Sequence, residues 1–295
     1  KNVAINYLPK ISTDLKVTMF ADDCSFLVSN KSQHLTISNS NNQLQSLNQW
    51  FILNKLRLNI SKTNIIQFHL GNTNHFNLQG LIKLGSEEAK QETKVKFLGL
   101  YIDNRLTWSG HVEHVCKRLR TMGFALNRLA KVCSQDVLRT VYFSHVESIL
   151  RYGLMFWGPS SVVNFNRVFV LQKWCLRIIS GRRRFESCKP LFGELKILTL
   201  AGLVGYELCS FVKGNPQLFV SNGYYHQYPT RSRELISVAG HNTSAFERSP
   251  YHLSTKVYNA LPLDIKNEQN LRLFRQKLKT HFLDKCFYCI KDLLV

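Results

Sequence analysis

The chain has 295 residues, 44% hydrophobic and 12% aromatic, which excludes a disordered polymer and allows a buried core of one large domain or two to three small ones. Lysine and arginine number 39 against 19 acidic residues, a net charge of +20 with a pI near 9.8, so a polyanion is the expected partner: nucleic acid or an anionic membrane surface. No apolar run reaches the length of a membrane span, and without a secretory signal the eight cysteines read as reduced core thiols of an intracellular protein, nuclear or cytoplasmic and not secreted.

Lys1 to Thr13 reads as the tail of a longer segment, and Lys1 in place of Met suggests a fragment. Leu15 to Asn30 then alternates, with Leu15, Val17 and Met19 on one side and Lys16, Thr18 and Phe20 on the other. Asp22 and Asp23 interrupt it, and Ser25 to Val28 resumes it, so two strands joined by a tight acidic turn are expected. Asn41 to Asn54 carries Leu44, Leu47 and Phe51 at helical spacing. Leu56 to Phe68 holds a polar turn, Asn59 to Thr63, leading into a strand with Ile65, Ile66 and Phe68. Gly71 to Gly80 reads as loop, and KVKFLGLYID, Lys94 to Asp103, as a strand or a tight strand pair.

The character changes at Asn104. Ser109 is placed to cap a helix whose apolar residues Val112, Val115, Leu119, Met122, Leu126 and Leu129 form a buried stripe, with Lys117, Arg128 and Lys131 opposite. A second helix is expected from Ser134 to about Tyr152, and a third from about Phe165 to Ser180, ended by Gly181 and followed by three arginines. From Asn104 to Arg184 there are 14 basic and three acidic residues, a net +11 concentrated in about a quarter of the chain. Leu191 to Val212 reads as buried helix, Asn215 to Pro250 as loop, and Leu271 to Tyr288 as a last amphipathic helix. Cys286 and Cys289 form a CxxC with His281 nearby, but no second ligand pair stands at zinc spacing. The expected fold class is α+β, passing into a basic helical bundle.

Two adjacent carboxylates between apolar strands repel each other and resist burial. They are explained either by a solvated turn, where Asp is common, or by bound cations. Mg²⁺ takes octahedral oxygen ligands from one or two carboxylates plus phosphates, and a hairpin tip holds such ligands rigidly. Adjacent residues point in different directions, so Asp22 is the main ligand expected and Asp23 the supporting one.

FADD after an apolar strand resembles the catalytic hairpin of reverse transcriptases, and the order of the surrounding motifs resembles the non-LTR (LINE-type) retrotransposon enzymes, particularly the jockey-like branch. Ala4 to Pro9 resembles that family's YINDLP stretch, with Tyr7 where Asp is usual. Trp50 followed by Asn54 to Thr63, NKLRLNISKT, resembles its palm motif, and Phe97-Leu98-Gly99 its primer-grip strand. Leu106-Thr107-Trp108 with His111 resembles its thumb opening. Arg151-Tyr152-Gly153, Trp157-Gly158, Leu171-Gln172 and Leu176-Arg177 resemble later thumb segments, and Ser249-Pro250, Tyr258 to Pro262 and Phe274 its C-terminal tail.

The resemblance implies a truncated polymerase palm over 1–103, a helical basic thumb over 104–185 and a C-terminal helical and loop region over 186–295. It implies two-metal nucleotidyl transfer, with Asp22 and Asp23 on Mg²⁺ and Lys62 either protonating the pyrophosphate or standing as a surface turn lysine. Phe97, Leu98 and Gly99 would position the primer end or form a core strand with a close-packing glycine. Lys117, Arg128 and Lys131 would track phosphates or form an ordinary solvated face. The implied partners are an RNA template and DNA primer, with deoxynucleoside triphosphates in the complete enzyme, and no membrane. The family's earlier metal-binding carboxylate lies ahead of YINDLP, so the fragment alone is expected to be inactive. Two other readings stay open: a non-catalytic nucleic-acid-binding remnant of a decayed element, and a protein-interaction remnant whose basic surface only confers solubility.

Overall fold

The computed structural model describes residues 16–294 apart from 22, 31, 57, 70–77, 79, 85–86, 89, 226–227 and 229. The chain is mixed α and β and divides into two units, Lys1–Val95 with Asp103–Arg105, and Lys96–Ile102 with Leu106–Val295.

In the first unit, β1 (Lys16–Phe20) and β2 (Asp23–Leu27) form an antiparallel hairpin in which Met19 pairs with Cys24 and Val17 with Phe26. The period of two decides which side is covered. Val17, Met19, Cys24 and Phe26 pack around Leu47, only 1% exposed, together with Leu44, Trp50 and Phe51 of helix α1 (Gln33–Leu53). Leu15 of the expected alternation lies outside the described residues. A helix covering one sheet face supplies the burial that a lone hairpin lacks.

Helix α1 begins eight residues before the expected Asn41. Residues 33–43 are mostly polar and show no apolar stripe, but a helix extends at little cost once nucleated by its packed end. Asn41 uses this extension. Its side chain donates to the Leu81 carbonyl (2.8 Å) and accepts from the Lys83 amide (3.1 Å), tying to α1 the strand β4 (Lys83–Leu84), which pairs with β5 (Glu87–Glu88). The strand expected through Ile65, Ile66 and Phe68 shrinks to β3 (Asn64–Ile65), which pairs in parallel with β6 (Lys90–Gln91).

The expected tight strand pair is a hairpin of β7 (Lys94–Phe97) and β8 (Leu100–Asp103), joined by Leu98 and Gly99. Helix α2 (Ser109–Leu129) buries Val112, Val115, Leu119 and Leu126, with Met122 and Leu129 packed beside them, as the spacing predicts. Ser109 is its first helical residue and not its cap; Trp108, left-handed at φ 61°, holds the cap position. The second expected helix is continuous from Gln135 to Arg151 but changes pitch: α3 (Gln135–Val141), a π-helical stretch (Tyr142–Glu147), then α4 (Ser148–Arg151). After the short α5 (Leu154–Trp157), α6 (Val162–Ile179) starts three residues earlier than expected. The Ser161 side chain accepts from the Asn164 amide at its start, and Gly181, at φ 62°, follows its end as the sequence predicts.

The buried helix expected over 191–212 is two helices, α7 (Lys189–Glu194) and α8 (Leu200–Gly214). Lys196 takes a left-handed turn (φ 53°), and the Thr199 hydroxyl then accepts from the Gly202 amide (2.9 Å) while donating to the Phe287 carbonyl (2.6 Å). Helices α9 (Pro250–Ala260) and α10 (Leu271–Lys285) close on α8, and α10 ends three residues short of the expected Tyr288, with Cys286 after it in a left-handed conformation. One apolar core runs from Val112 through Trp157, Phe165 and Leu203 to Phe274 and Phe282. Each such large buried side chain contributes roughly 1.5–3 kcal/mol.

Candidate nucleic-acid interface

Three places in the fold carry the sequence-predicted residues. The first is the β1–β2 tip. Phe20 pairs with Asp23 at the end of the ribbon, and Ala21, which follows Phe20, stands at φ 54°. Two-residue hairpin turns demand positive φ and favour Asp, Asn or Gly. Asp23 is exposed at this tip, so its carboxylate oxygens are open to a hard cation such as Mg²⁺. Asp22 lies outside the described residues; among the described residues no three His, Cys, Asp or Glu side chains gather around a common metal position. Lys62 is exposed at the end of a 3₁₀ turn, Ile60–Lys62. That turn is tied by Asn59, whose carbonyl accepts from the Lys62 amide (3.1 Å) and the Thr63 hydroxyl (2.9 Å), while its side-chain oxygen accepts from Ser61 (2.7 Å). The asparagine and threonine of the NKLRLNISKT motif therefore build the loop that presents Lys62.

The second place is the turn Phe97-Leu98-Gly99. Leu98 (φ 46°) and Gly99 (φ 82°) form the apex of the β7–β8 hairpin. The Tyr152 hydroxyl donates to the Leu98 carbonyl, and a side chain on Gly99 would stand 3.3 Å from the Tyr152 ring. Trp157 Nε1 donates to the Tyr152 carbonyl (2.9 Å). Behind the hairpin sits His111, 3% exposed, ringed by Tyr101, Trp108 and Trp157 at centroid distances of 5.9–6.5 Å. Its Nδ1 accepts from the Tyr101 amide (3.4 Å). Burial, then the neighbouring His114, push its pKa down from 6.5 to about 4, so the ring is neutral at pH 7. Two regions about 40 residues apart in sequence, 97–111 and 152–157, thus meet. Arg151 next to them bridges Glu207 (2.7 Å) and Glu147 (3.5 Å) and lies over the Tyr206 ring.

The third place is the outer face of α2. Lys117 and Arg128, 11 residues apart, fall within about 20° of each other around the helix, and Lys131 just past its end continues the line. All three are exposed, opposite the buried stripe. The same line contains Phe124, which the reading for charge passed over and the 7-residue spacing would have found; Arg120, also passed over, stands about 60° around the helix from Lys117. Phe124 is 64% exposed and meets the α6 ring of Trp174 edge-on at 5.5 Å. Gly123 permits this approach, because a Cβ there would come within 2.0 Å of Trp174 Cζ3.

Other motif residues hold the fold. Gln172, fully buried, donates to the Tyr142 hydroxyl and the Leu198 carbonyl, both at 2.9 Å. Arg177 fixes the Glu186 carbonyl (3.2 and 3.0 Å) beneath the exposed arginines 182–184. Ser249 caps α9, Asn259 bonds both the amide (3.0 Å) and carbonyl (2.8 Å) of Ile236, and Phe274 is fully buried. The CxxC pair diverges: Cys289 Sγ faces Asp292 Oδ1 (2.9 Å), and Cys286 Sγ faces the Lys189 carbonyl (3.8 Å). Among the described residues no helix is long and apolar enough to cross a membrane.

Compared with curated proteins, the chain is 24% identical over 191 residues to the RNA-directed DNA polymerase from mobile element jockey of Drosophila melanogaster, covering 62% of this chain and 20% of that protein. It is 28% identical over 189 residues to the probable RNA-directed DNA polymerase from transposon BS, and 24% over 185 residues to that from transposon X-element, both from the same fly, covering 61% of this chain and 20% of each relative. The chain thus spans about a fifth of the length of the curated relatives it matches. No family model and no solved structure matches it.

Proposed function

Starting from its relationship to RNA-directed DNA polymerases of mobile elements, we propose that this chain is part of such a reverse transcriptase, with palm elements in residues 1–103, a thumb over 104–185 and a C-terminal region over 186–295. The observation that carries the reading is the β1–β2 hairpin itself: a tight antiparallel ribbon backed by α1, with Asp23 exposed at its tip. Asp22 and Asp23 would hold Mg²⁺, which supplies charge neutralisation at the transferring phosphate when bound. Lys62 would place a proton donor on a preformed loop. Leu98 and Gly99 would offer the primer backbone a turn braced by Tyr152. Lys117, Arg128 and Lys131 would line phosphates of an RNA–DNA hybrid.

The experiment is hybrid binding across a salt series. A phosphate-tracking face gives a log–log slope near −0.9 per phosphate contacted, and the triple substitution of Lys117, Arg128 and Lys131 by Ala makes that slope shallower by about 3. Affinity that does not fall with salt would overturn the thumb assignment. For the acidic tip, a longer polymerase containing this chain should lose Mg²⁺-dependent primer extension on Asp22→Ala while still binding hybrid. Normal extension by that variant would overturn the metal assignment.

A further inference from the structure

The exposed side of α2 is continuous with that of α6, and the two together carry more than charge. On α6 the residues Val163, Arg167, Val170 and Trp174 recur at steps of four, three and four, so they share one face. Val163 is 71% exposed and Val170 57% exposed, yet this helix is among those that pack most extensively on α2. Arg167 and Arg120 flank Cys116 from the two helices: burial raises that thiol's pKa, and both guanidinium charges pull it down. Phe124 and Trp174 meet between them. Glu113 is the one acidic residue on α2 and stands one turn before Lys117 on the same side, acting on Cys116 against the two arginines, and α6 has none.

A merely solvated basic face gains nothing from an exposed phenylalanine, an indole against it and two bare valines. Interleaved rings and cations are what an unpaired nucleotide strand requires. Bases stack on aromatic faces whatever their identity, and arginine contacts the backbone or stacks in turn. A duplex hides its base faces and cannot use the rings. An acidic protein would satisfy the arginines but would not need planar partners.

We propose that the shared face of α2 and α6 is a stacking site for single-stranded nucleic acid, with Phe124 and Trp174 receiving bases and Arg120 and Arg167 receiving phosphates. The site rests on the reading above that this chain grips nucleic acid, and it adds an unpaired strand beside the hybrid.

The test uses the whole chain, a labelled 20-nucleotide single strand and a blunt RNA–DNA hybrid of equal length. Phe124→Ala should weaken single-strand binding about 5- to 100-fold, the value of one lost stack, and change hybrid binding less than about twofold. Phe124→Tyr, which keeps a ring, should retain single-strand affinity. The single strand should quench tryptophan fluorescence, and Trp174→Phe should remove that component. The site is overturned if Phe124→Ala binds the single strand as tightly as the parent, if it loses both ligands equally, or if polyglutamate competes as well as the oligonucleotide, which marks an acidic-protein surface. A chain that binds neither ligand overturns this site and the polymerase reading together. One that binds hybrid with a salt-dependent affinity but ignores the Phe124 change overturns this site alone.

Discussion

The hydroxyl of Tyr152 donates a hydrogen bond to the Leu98 carbonyl at the apex of the β7–β8 hairpin, across 54 residues of sequence. Tyr152→Phe keeps the ring against Gly99 and removes only the donor. The ring is half exposed, so the expected loss is at the low end of a hydrogen bond's worth, about 0.5–1 kcal/mol in urea unfolding. If the turn positions a primer, the same variant should raise the primer's apparent KM in a polymerase containing this chain, with stability nearly unchanged.

Gly123 permits the close contact between α2 and α6. Gly123→Ala gains helix propensity but puts a methyl inside the Trp174 ring. Overpacking of this kind costs about 1–3 kcal/mol, so net destabilisation is expected despite the better helix former. Near-UV circular dichroism should change with it as the indole is displaced, and an unchanged spectrum with higher stability would contradict the packing.

His111 makes stability depend on pH. Its folded pKa, about 4, lies below the 6.5 of the unfolded chain, so protons bind the unfolded state first as pH falls. Its contribution is complete above about 6.5, is lost between 6.5 and about 4, and changes no further below that. A shift of this size corresponds to something on the order of 3 kcal/mol. His114, His252 and His281 are shifted in the same direction, first by burial, and add to the same trend. Urea unfolding at pH 7.5 and 4.5 should show a smaller difference in His111→Leu than in the parent chain.

Arg151 stands between two glutamates, and one of them, Glu147, is nearly buried. Burial raises the Glu147 pKa, and Arg151 and then Lys279 oppose the rise. Arg151→Ala leaves that carboxylate without its nearest cation, an expected loss of about 2 kcal/mol. Adding Glu147→Gln should recover part of it. A double variant no more stable than the single one would show that the charge pairing is unimportant.

The elements with a strong period were legible in the sequence. The hairpin at 16–27 follows from alternation broken by a polar pair, and α2 from its 3-4 apolar steps. The early start of α1 was not legible, because Gln33 to Asn42 has almost no apolar face and is helical only by extension from Leu44, Leu47 and Phe51. The break between α7 and α8 was hidden for the opposite reason: residues 191–212 are apolar nearly throughout, so periodicity could not register the turn at Lys196 or the cap at Thr199. On α2 and just past its end, Lys117, Arg128 and Lys131 were singled out by charge, and the fold leaves all three exposed. Phe124 lies on the same line but was missed because an aromatic residue on a helix is usually counted toward the core, and Arg120 was passed over because it stands about 60° around the helix from Lys117. The meeting of Gly99 with Tyr152 follows no short-range pattern and needs the tertiary fold to appear.

The bond from the Thr199 hydroxyl to the Phe287 carbonyl fastens the far end of the chain to the first turn of α8, while Phe274 and Phe282 fill space that α8 leaves open. Excising residues 106–185 as a portable module would therefore strip away the wall against which Trp157 and Phe169 rest. Such a piece should collapse or clump, whereas transplanting 96–294 intact carries its own interior along.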